Sequence, residues 1–469
     1  MSAPETDDRT LHPSVLSAAV DSRRIFDVQT QSLKSRARDA LGKLEMAVRQ
    51  HERELIDALW SDFRKPELEA FVSEISVLYQ EIRKLRKCTR RFFRPVRHRT
   101  PMSFFRSRSR VRHEPYGAVL VIAPWNYPVQ LSLVPVAGAI AAGNSVVLKP
   151  SELTPHVAAL LETIAKEAFP DGLLRVVTGD HREAEALLSQ KFDYIFYTGN
   201  TRVGRIVMEA AARHLTPLTL ELGGKSPAIV TRNADLNVAA QRIAWGKCFN
   251  AGQTCVAPDY VLVESTVHDA FLRKYQEALV RMYGSDPEQS PDYSRIVNDR
   301  HFNRISALID RTDGTVWNDV RNPDTCFLAP TPVTDVDWND ALMSEEIFGP
   351  VLPILTYDDV SEMSEALIRR PKPLALYVFS KRHREAEEIF QRVPSGGGCI
   401  NDVVIHVASS ELPFGGVGDS GFGRYRGVHS LRTFTYERAV VDHRIRPELR
   451  FRYAPYKGKL ELVRRLVGR

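Results

Sequence analysis

Gly117-Ala118-Val119-Leu120-Val121-Ile122-Ala123 is an unbroken apolar run of strand length, closed by Pro124-Trp125-Asn126-Tyr127-Pro128. A strand without polar alternation is covered on both faces, which is the habit of parallel sheets in α/β proteins. The same rhythm repeats downstream. An apolar helix is predicted over Leu131 to Ala142, stopped by Gly143-Asn144. A second buried strand, Ser145 to Leu148, ends at Lys149-Pro150-Ser151-Glu152, and a helix runs from Pro155 to Phe169. Leu174 to Val177 and Tyr194 to Tyr197 read as further strands, separated by a helix from His181 to Gln190. Thr198-Gly199-Asn200 then leads into a helix from Val203 to Arg213. Alternation of this kind predicts a parallel sheet with helices on both faces. Right-handed crossovers collect the C-terminal ends of such strands along one edge, and Asn126, Lys149, Glu152 and Gly199 all fall at those ends.

A second alternating segment starts at Leu218, with strands at Ala228-Ile229-Val230, Tyr260 to Val263 and Leu374 to Phe379. Its helices are Val238 to Cys248, Val267 to Tyr283 and His301 to Ile309. Residues 310 to 340 read as loop-rich, and a glycine-rich stretch, Ser395-Gly396-Gly397-Gly398, follows Pro394. Upstream, Leu55, Leu59, Phe63 and then Val72, Ile75, Leu78, Ile82 and Leu85 recur at helical spacing, with Pro66 dividing two helices. Residues 1 to 13 read as a solvated tail. Phe92 to His113 interleaves basic and aromatic residues, a pattern that single-stranded nucleic acid or an anionic membrane surface could use. Pro95 and Pro101 favour an extended strand or linker crossing between domains instead. The end of the chain carries a short basic amphipathic helix, Leu460 to Val467.

The 469 residues suffice for two or three domains, with 43% hydrophobic and 26% charged residues and a formal net charge of +6. That mild excess of base does not specify a nucleic-acid partner. Cys88, Cys248, Cys255, Cys326 and Cys399 are odd in number and match neither a disulfide framework nor a zinc pattern, so a reducing, cytoplasmic setting is expected. The acidic, polar start is not a secretory signal, and no apolar run is long enough to span a bilayer. No histidine shows ligand spacing, so no metal site is expected.

The chemistry points to Phe249-Asn250-Ala251-Gly252-Gln253-Thr254-Cys255, where a helix breaks and a thiol is presented on a tight turn. Taken singly, a cysteine is more often a small buried hydrophobe. Upstream, Glu221-Leu222-Gly223-Gly224-Lys225-Ser226-Pro227 places a carboxylate beside a Gly-Gly bend. A thiol and an acid, each next to glycines that allow close backbone approach, suggest covalent catalysis.

Seven stretches, in this order, resemble the aldehyde dehydrogenase superfamily: PWNYP (124–128), GNSVVLKPSE (143–152), YTGN (197–200), LELGGKSP (220–227), GQTCVAPDY (252–260), EEIFGPVLPI (345–354) and LPFGGVGDSGFG (412–423). The resemblance runs from about residue 20 to about residue 445. HLTPLTLELGGKSP and CVAPDY look most like the class 3 branch of fatty, aromatic and coniferyl aldehyde dehydrogenases. The resemblance implies an α/β fold with two parallel-sheet domains, one binding NAD(P) and one catalytic, plus a small bridging and oligomerisation region. On that pattern residues 1–16 are a flexible tail, 17–94 and 114–219 the cofactor-binding domain, 220–424 the catalytic domain, and 95–113 and 425–469 the bridging segments.

It further implies that Cys255 attacks the aldehyde, that Asn126 and the Cys255 N–H stabilise the oxyanion, and that Glu221 activates water to hydrolyse the thioester left after hydride transfer. Lys149 and Glu152 match the residues that reach the adenosine ribose, and Gly199 and Gly204 match the family's glycine positions. Asn200 stands where the family commonly has Ser. Glu346 matches the residue on the nicotinamide ribose, and Phe348 the ring beside the nicotinamide. Glu152 favours NAD by repelling a 2′-phosphate, and Lys149 can offset that repulsion toward NADP. The implied substrate is a medium- or long-chain aliphatic or an aromatic aldehyde, met by loops near Tyr127, Leu131, Cys248 to Thr254 and His406 to Glu411. The implied assembly is a homodimer, with no nucleic-acid partner and no integral membrane segment. Two alternatives stand beside this reading: transfer of the acyl group to CoA, which Glu221 argues against, and an idle scaffold.

Overall fold

The structure is a computed structural model and describes residues 13–101, 106–445 and 453–467. Its chain divides into two units, residues 1–92 with 115–436, and residues 93–114 with 437–469.

The larger unit holds two sheets. The first has six strands in the order Gly421–Phe422, Leu218–Glu221, Tyr194–Thr198, Ala118–Ile122, Ser145–Lys149, Leu174–Val176. All neighbours are parallel except the Gly421–Phe422 edge, where Gly421 lies opposite Glu221. The chain starts at Ala118–Ile122, builds outward on one side, then crosses to the other. The strand order therefore reverses beside Ala118–Ile122, and crevices at such a point receive ligands outside the strands' C-terminal ends. Val119, Leu120 and Val121 have no exposed surface, as their unbroken apolar run requires. The helix Gln130–Ala141 is buried on every side, which explains why it lacks a polar face.

The second sheet has seven strands in the order Thr315–Val316, Thr331–Thr334, Val351–Tyr357, Tyr260–Glu264, Pro227–Val230, Ala375–Phe379, Gly397–Ile400, again parallel apart from the Thr315–Val316 edge. Four of these strands fall where no strand was expected: Thr315–Val316 and Thr331–Thr334 within the loop-rich residues 310–340, then Val351–Tyr357 and Gly397–Ile400. Gly397–Ile400 is a strand whose glycines are set by crowding: a Cβ at Gly398 would meet Leu376 O at 1.9 Å.

Helix Ala18–Gln50 packs on the strands Ala118–Ile122 and Ser145–Lys149, while Glu52–Phe63 packs on the helix Pro155–Ala168 and Ser76–Phe92 on Gln130–Ala141. A π turn at Phe71–Ile75 precedes Ser76–Phe92. The extra residue rotates the face, so Glu74 is fully buried while Val72, expected in the apolar stripe, is 41% exposed.

Three expected boundaries move. Leu218–Glu221 belongs to the first sheet, so the second begins at Pro227 rather than at Leu218 or residue 220. The helix Val428–Thr433 packs on Ser76–Phe92 and Gln130–Ala141 with Ser430 and Leu431 fully buried, so residues 425–436 lie in the larger unit, not in a bridging segment. Pro13–Leu16 is a helical turn rather than flexible tail: Val15 is buried and its carbonyl accepts from Gln190 Nε2 at 2.8 Å. Residues 1–12 lie outside the described residues.

In the smaller unit the basic, aromatic stretch supplies two antiparallel strands, Val96–His98 and Ser107–Pro115, with Val96 opposite Val111. Thr435–His443 lies on the other side of Ser107–Pro115 and is mostly exposed. Lys459–Val467 is helical. Among the described residues no helix is long and apolar enough to cross a membrane.

Candidate active site

The thiol of Cys255 follows a loop that breaks the helix Leu236–Cys248. Asn250 and Ala251 both adopt left-handed backbone (φ 55° and 51°), a conformation that costs a non-glycine residue about 1–2 kcal/mol each. The surroundings hold them there. Asn250 N–H donates to Glu69 Oε2 at 3.0 Å, and Asn250 Nδ2 to Asn126 O at 2.9 Å. Gln253, which sequence reasoning passed over, donates from Nε2 to Asn250 O and Arg295 O and accepts from Val297 N–H. Gly252 sits at φ +75°, and a Cβ there would fall 2.3 Å from Gly349 O. That close approach brings the segment bearing Glu346 and Phe348 onto the cysteine loop.

The first sheet supplies the groups facing this loop. Asn126, 3% exposed, donates one amide hydrogen from Nδ2 to Gln253 O at 3.0 Å. An amide nitrogen carries two hydrogens, so this bond uses one of the pair. Glu221 ends its strand 2% exposed, and neither carboxylate oxygen has a hydrogen-bond partner among the described residues. Burial holds its carboxyl well above the usual range, against the opposing charges of Arg424 and Arg426. Burial also pushes the Cys255 thiol up to about 12, with the carboxylates of Glu346 and Glu221 adding to the shift and the backbone N–H groups of Cys255 and Val256 opposing it. Cys255, Glu221 and Glu346 therefore share one electrostatic neighbourhood.

Glu346 lies over Gly223, where a Cβ would come 2.0 Å from its Oε2. Burial lifts its carboxyl to about 8, next to the Asp259 charge. Its segment is clamped: Lys225 Nζ pairs with Asp259 and donates to Leu342 O and Glu345 O, and Asp259 Oδ1 accepts from Ile347 N–H at 3.0 Å. Phe348, left-handed at φ 51°, places its ring edge-on to Trp125 at 5.4 Å. Gly223 and Gly224 thus serve the approach of Glu346 and the bend before the second sheet.

Lys149, Gly199 and Gly204 lie further along the first sheet's C-terminal edge. Lys149 is 3% exposed, donates to Pro150 O at 2.8 Å and stands 3.5 Å from Glu152, whose side chain is half exposed. Gly199 N–H donates to Glu221 O at 3.0 Å, linking the two strand ends. Both glycines are explained by packing within the protein, since a Cβ at Gly199 would meet Tyr197 Oη at 2.2 Å and one at Gly204 would meet Leu222 Cδ2 at 2.8 Å. Asn200 caps the helix Thr201–His214 by accepting from Val203 N–H. A 14-residue helix beginning at this edge presents the positive end of its dipole there, which suits a pyrophosphate. With Glu346 buried over glycine and an exposed carboxylate at Glu152, the edge fits a dinucleotide.

The helical layer carries a second set of residues that periodicity does not reveal. Lys65 and Glu74 form an ion pair of 2.6 Å with both side chains fully buried. Glu74 Oε2 also accepts from Val129 and Gln130 N–H, capping the helix behind Asn126, while Lys65 lies 4.0 Å over the Tyr127 ring. Glu74→Ala should leave Lys65 buried without its partner and cost about 3–5 kcal/mol. Denaturant unfolding reads the loss, and a variant within 1 kcal/mol of wild type would refute the role, a margin set by the ordinary value of surface pairs at about 0–1 kcal/mol.

A model of the aldehyde dehydrogenase family matches residues 11–440. The chain belongs to that family. It is 42% identical over 445 residues to 4,4'-diaponeurosporen-aldehyde dehydrogenase of Staphylococcus aureus, covering 95% of this chain and 97% of the relative. It is also 42% identical to the dimeric NADP-preferring aldehyde dehydrogenase of Canis lupus familiaris, covering 90% of this chain and 93% of that one. Among solved structures, the substrate-bound state of Staphylococcus aureus AldH superposes with a TM-score of 0.93 at 40% identity, covering 98% of this chain and 100% of that one. The aldehyde dehydrogenase therefore has the family's two α/β domains and bridging strands, and it uses NAD(P) to oxidise an aldehyde through a catalytic cysteine.

Proposed function

We propose that Cys255 is the nucleophile, that Asn126 Nδ2 and the Cys255 N–H bind the oxyanion, and that Glu221 is the general base. The observation that carries this reading is a pairing: a buried carboxylate with two uncommitted oxygens acts on a turn-presented thiol, beside an amide with one hydrogen in reserve. The Cys255 thiolate adds to the aldehyde carbonyl, and the amide donors hold the resulting O⁻. The bound dinucleotide supplies a hydride acceptor. Glu221 then takes a proton from the water that attacks the thioester, which releases the carboxylic acid and the thiolate. Lys149 and Glu152 would hold the adenosine ribose, Gly199 and Gly204 would shape the strand-to-helix turn, and Glu346 and Phe348 would hold the nicotinamide end.

Asn126→Ala should lower kcat by about 10²–10³-fold, the usual cost of one oxyanion donor. Steady-state kinetics with folded protein checks this, and a fall of twofold or less would remove Asn126 from the site.

The branch we infer is class 3, supported by HLTPLTLELGGKSP and CVAPDY. The substrate is a medium- or long-chain aliphatic or an aromatic aldehyde. Tyr127, Leu131 and Phe249 form an apolar cluster with Trp245 beside the cysteine loop, and one relative is named for a 4,4'-diaponeurosporen-aldehyde. Glu152 favours NAD, and Lys149 beside it leaves room for NADP. A homodimer, paired through the exposed strand Thr435–His443, accords with the relative named as dimeric. Cofactor reduction with hexanal, decanal, benzaldehyde, coniferaldehyde and succinic semialdehyde, with and without CoA, tests the reading. Turnover without CoA on the apolar aldehydes is expected. Turnover only with CoA would contradict the role given to Glu221, and preference for succinic semialdehyde would overturn the substrate class.

A further inference from the structure

Five buried side-chain polar atoms around Glu221 have no hydrogen-bond partner among the described residues: both Glu221 oxygens, Tyr425 Oη, Arg426 Nε and Glu81 Oε2. All four side chains are at most 2% exposed. They are neighbours. Tyr425 exchanges backbone hydrogen bonds with Phe414, and a Cβ on the next residue, Gly415, would lie 2.9 Å from Glu221 Oε1. The Arg426 guanidinium lies 5.3 Å over the Tyr425 ring. Gly427 N–H donates to Glu81 Oε1 at 2.6 Å, and Ser430 Oγ does so at 3.3 Å. Glu81 Oε1 is thus committed and Oε2 is not.

Leaving such atoms dry is costly, and buried polar groups that lack protein partners are met by ordered water. We infer that buried water links Glu221 to Glu81 past Tyr425 and Arg426, and that Glu81 accepts the proton that Glu221 takes from the hydrolytic water and passes it to solvent. The inference rests on the reading of Glu221 as general base.

Arg426 acts on both carboxyls, Tyr425 lies within reach of both, Arg424 acts on Glu221, and Lys84 acts on Glu81. Burial raises both carboxyls. One buried guanidinium acting on two such groups favours a single negative charge shared by the pair. Glu81 lies close to the surface: Gly427, whose N–H it accepts, packs beside Lys84 Cγ, and the partly exposed Lys84 pairs with the exposed Glu411. The balance is simple. Water forms a C–O bond to the thioester carbon and gives one proton to Glu221. The C–S bond breaks and Cys255 leaves as thiolate. The proton crosses to Glu81 and then to bulk, with no change of oxidation state.

The test is rapid-quench measurement of acyl-enzyme formation and decay in Glu81→Gln, whose amide oxygen can still accept from Gly427 and Ser430. Expected are unchanged formation, decay slowed about 10-fold, a larger solvent deuterium effect on decay, and partial restoration by added formate. Tyr425→Phe, which keeps the ring under Arg426 and removes only the hydroxyl, should slow decay in the same way and covers failure of the first variant to fold. Decay within twofold of wild type in a folded variant, or formation and decay falling together without formate rescue, would overturn the proposal. Glu221→Gln with normal decay would instead contradict the base assignment itself.

Discussion

Cys255→Ala should abolish aldehyde-dependent cofactor reduction, a loss of roughly four orders of magnitude or more, as expected when the nucleophile of a concerted site is removed. The four other cysteines should not replace it. Cys248 is fully buried and its thiol is pushed far up by burial. Cys326 and Cys399 are both raised to about 11 and Cys88 is raised as well, while Cys255 itself stands at about 12, so position rather than acidity sets Cys255 apart. None stands beside an amide donor placed like Asn126 together with a carboxylate placed like Glu221. The change deletes only a sulfur from a loop held by Gln253, Asn250 and Glu69, so the fold should survive. Stopped-flow absorbance at saturating cofactor measures the loss, and circular dichroism reports the fold. Near-normal turnover would remove Cys255 from the chemistry.

The second large effect belongs to Glu221→Gln. An amide cannot take the proton from water, and a general base contributes about 10²–10⁴-fold. The first turnover should still deliver one reduced cofactor per site, because acylation and hydride transfer need Cys255 and the oxyanion donors. Later turnovers should slow by that factor. The wild-type enzyme should also show deacylation that rises with pH. Burial raises the Glu221 carboxyl, so its proton is retained at lower pH and the basic form accumulates only as pH increases through the raised value. In Glu221→Gln that rise should disappear. A variant with equal first and later turnovers, and an unchanged profile, would reassign the base.

Much of the architecture was legible because its signals are local. Val119 to Val121 and Val146 to Leu148 read as buried strands because a parallel sheet leaves no face for polar residues. The helix stop at Gly143-Asn144 was legible, whereas the helices expected from Val238 and His301 begin two residues earlier, behind the caps Asp235 and Asn298. Where sequence reasoning went wrong, packing overruled local preference. Thr331–Thr334 and Val351–Tyr357 each contain a proline, and Gly397–Ile400 begins with two glycines, so all three lacked the usual marks of a central strand. Leu218–Glu221 went to the wrong sheet because sequence order does not say which edge a strand joins.

The site shows the same division. The structure gathers Asn126, Glu221, Cys255, Glu346 and Phe348 around one pair of loops and places Lys149, Gly199 and Gly204 along the adjoining sheet edge. The residues that hold this arrangement were silent in the sequence. Glu74 turns inward through a π turn that no 3.6-residue period predicts. Gln253 works through three backbone partners, two of them, Arg295 and Val297, distant in sequence. Glu81 looks like one more polar residue on a strongly charged helix, and burial with an uncommitted oxygen appears only in three dimensions.

The most direct test is to mix Glu221→Gln with an aldehyde and oxidised cofactor, quench with acid after one turnover, and map the acyl group by peptide mass spectrometry. The account predicts one acyl group per chain, carried as a thioester on Cys255. An acyl group on any other residue, or none while reduced cofactor forms, would contradict it.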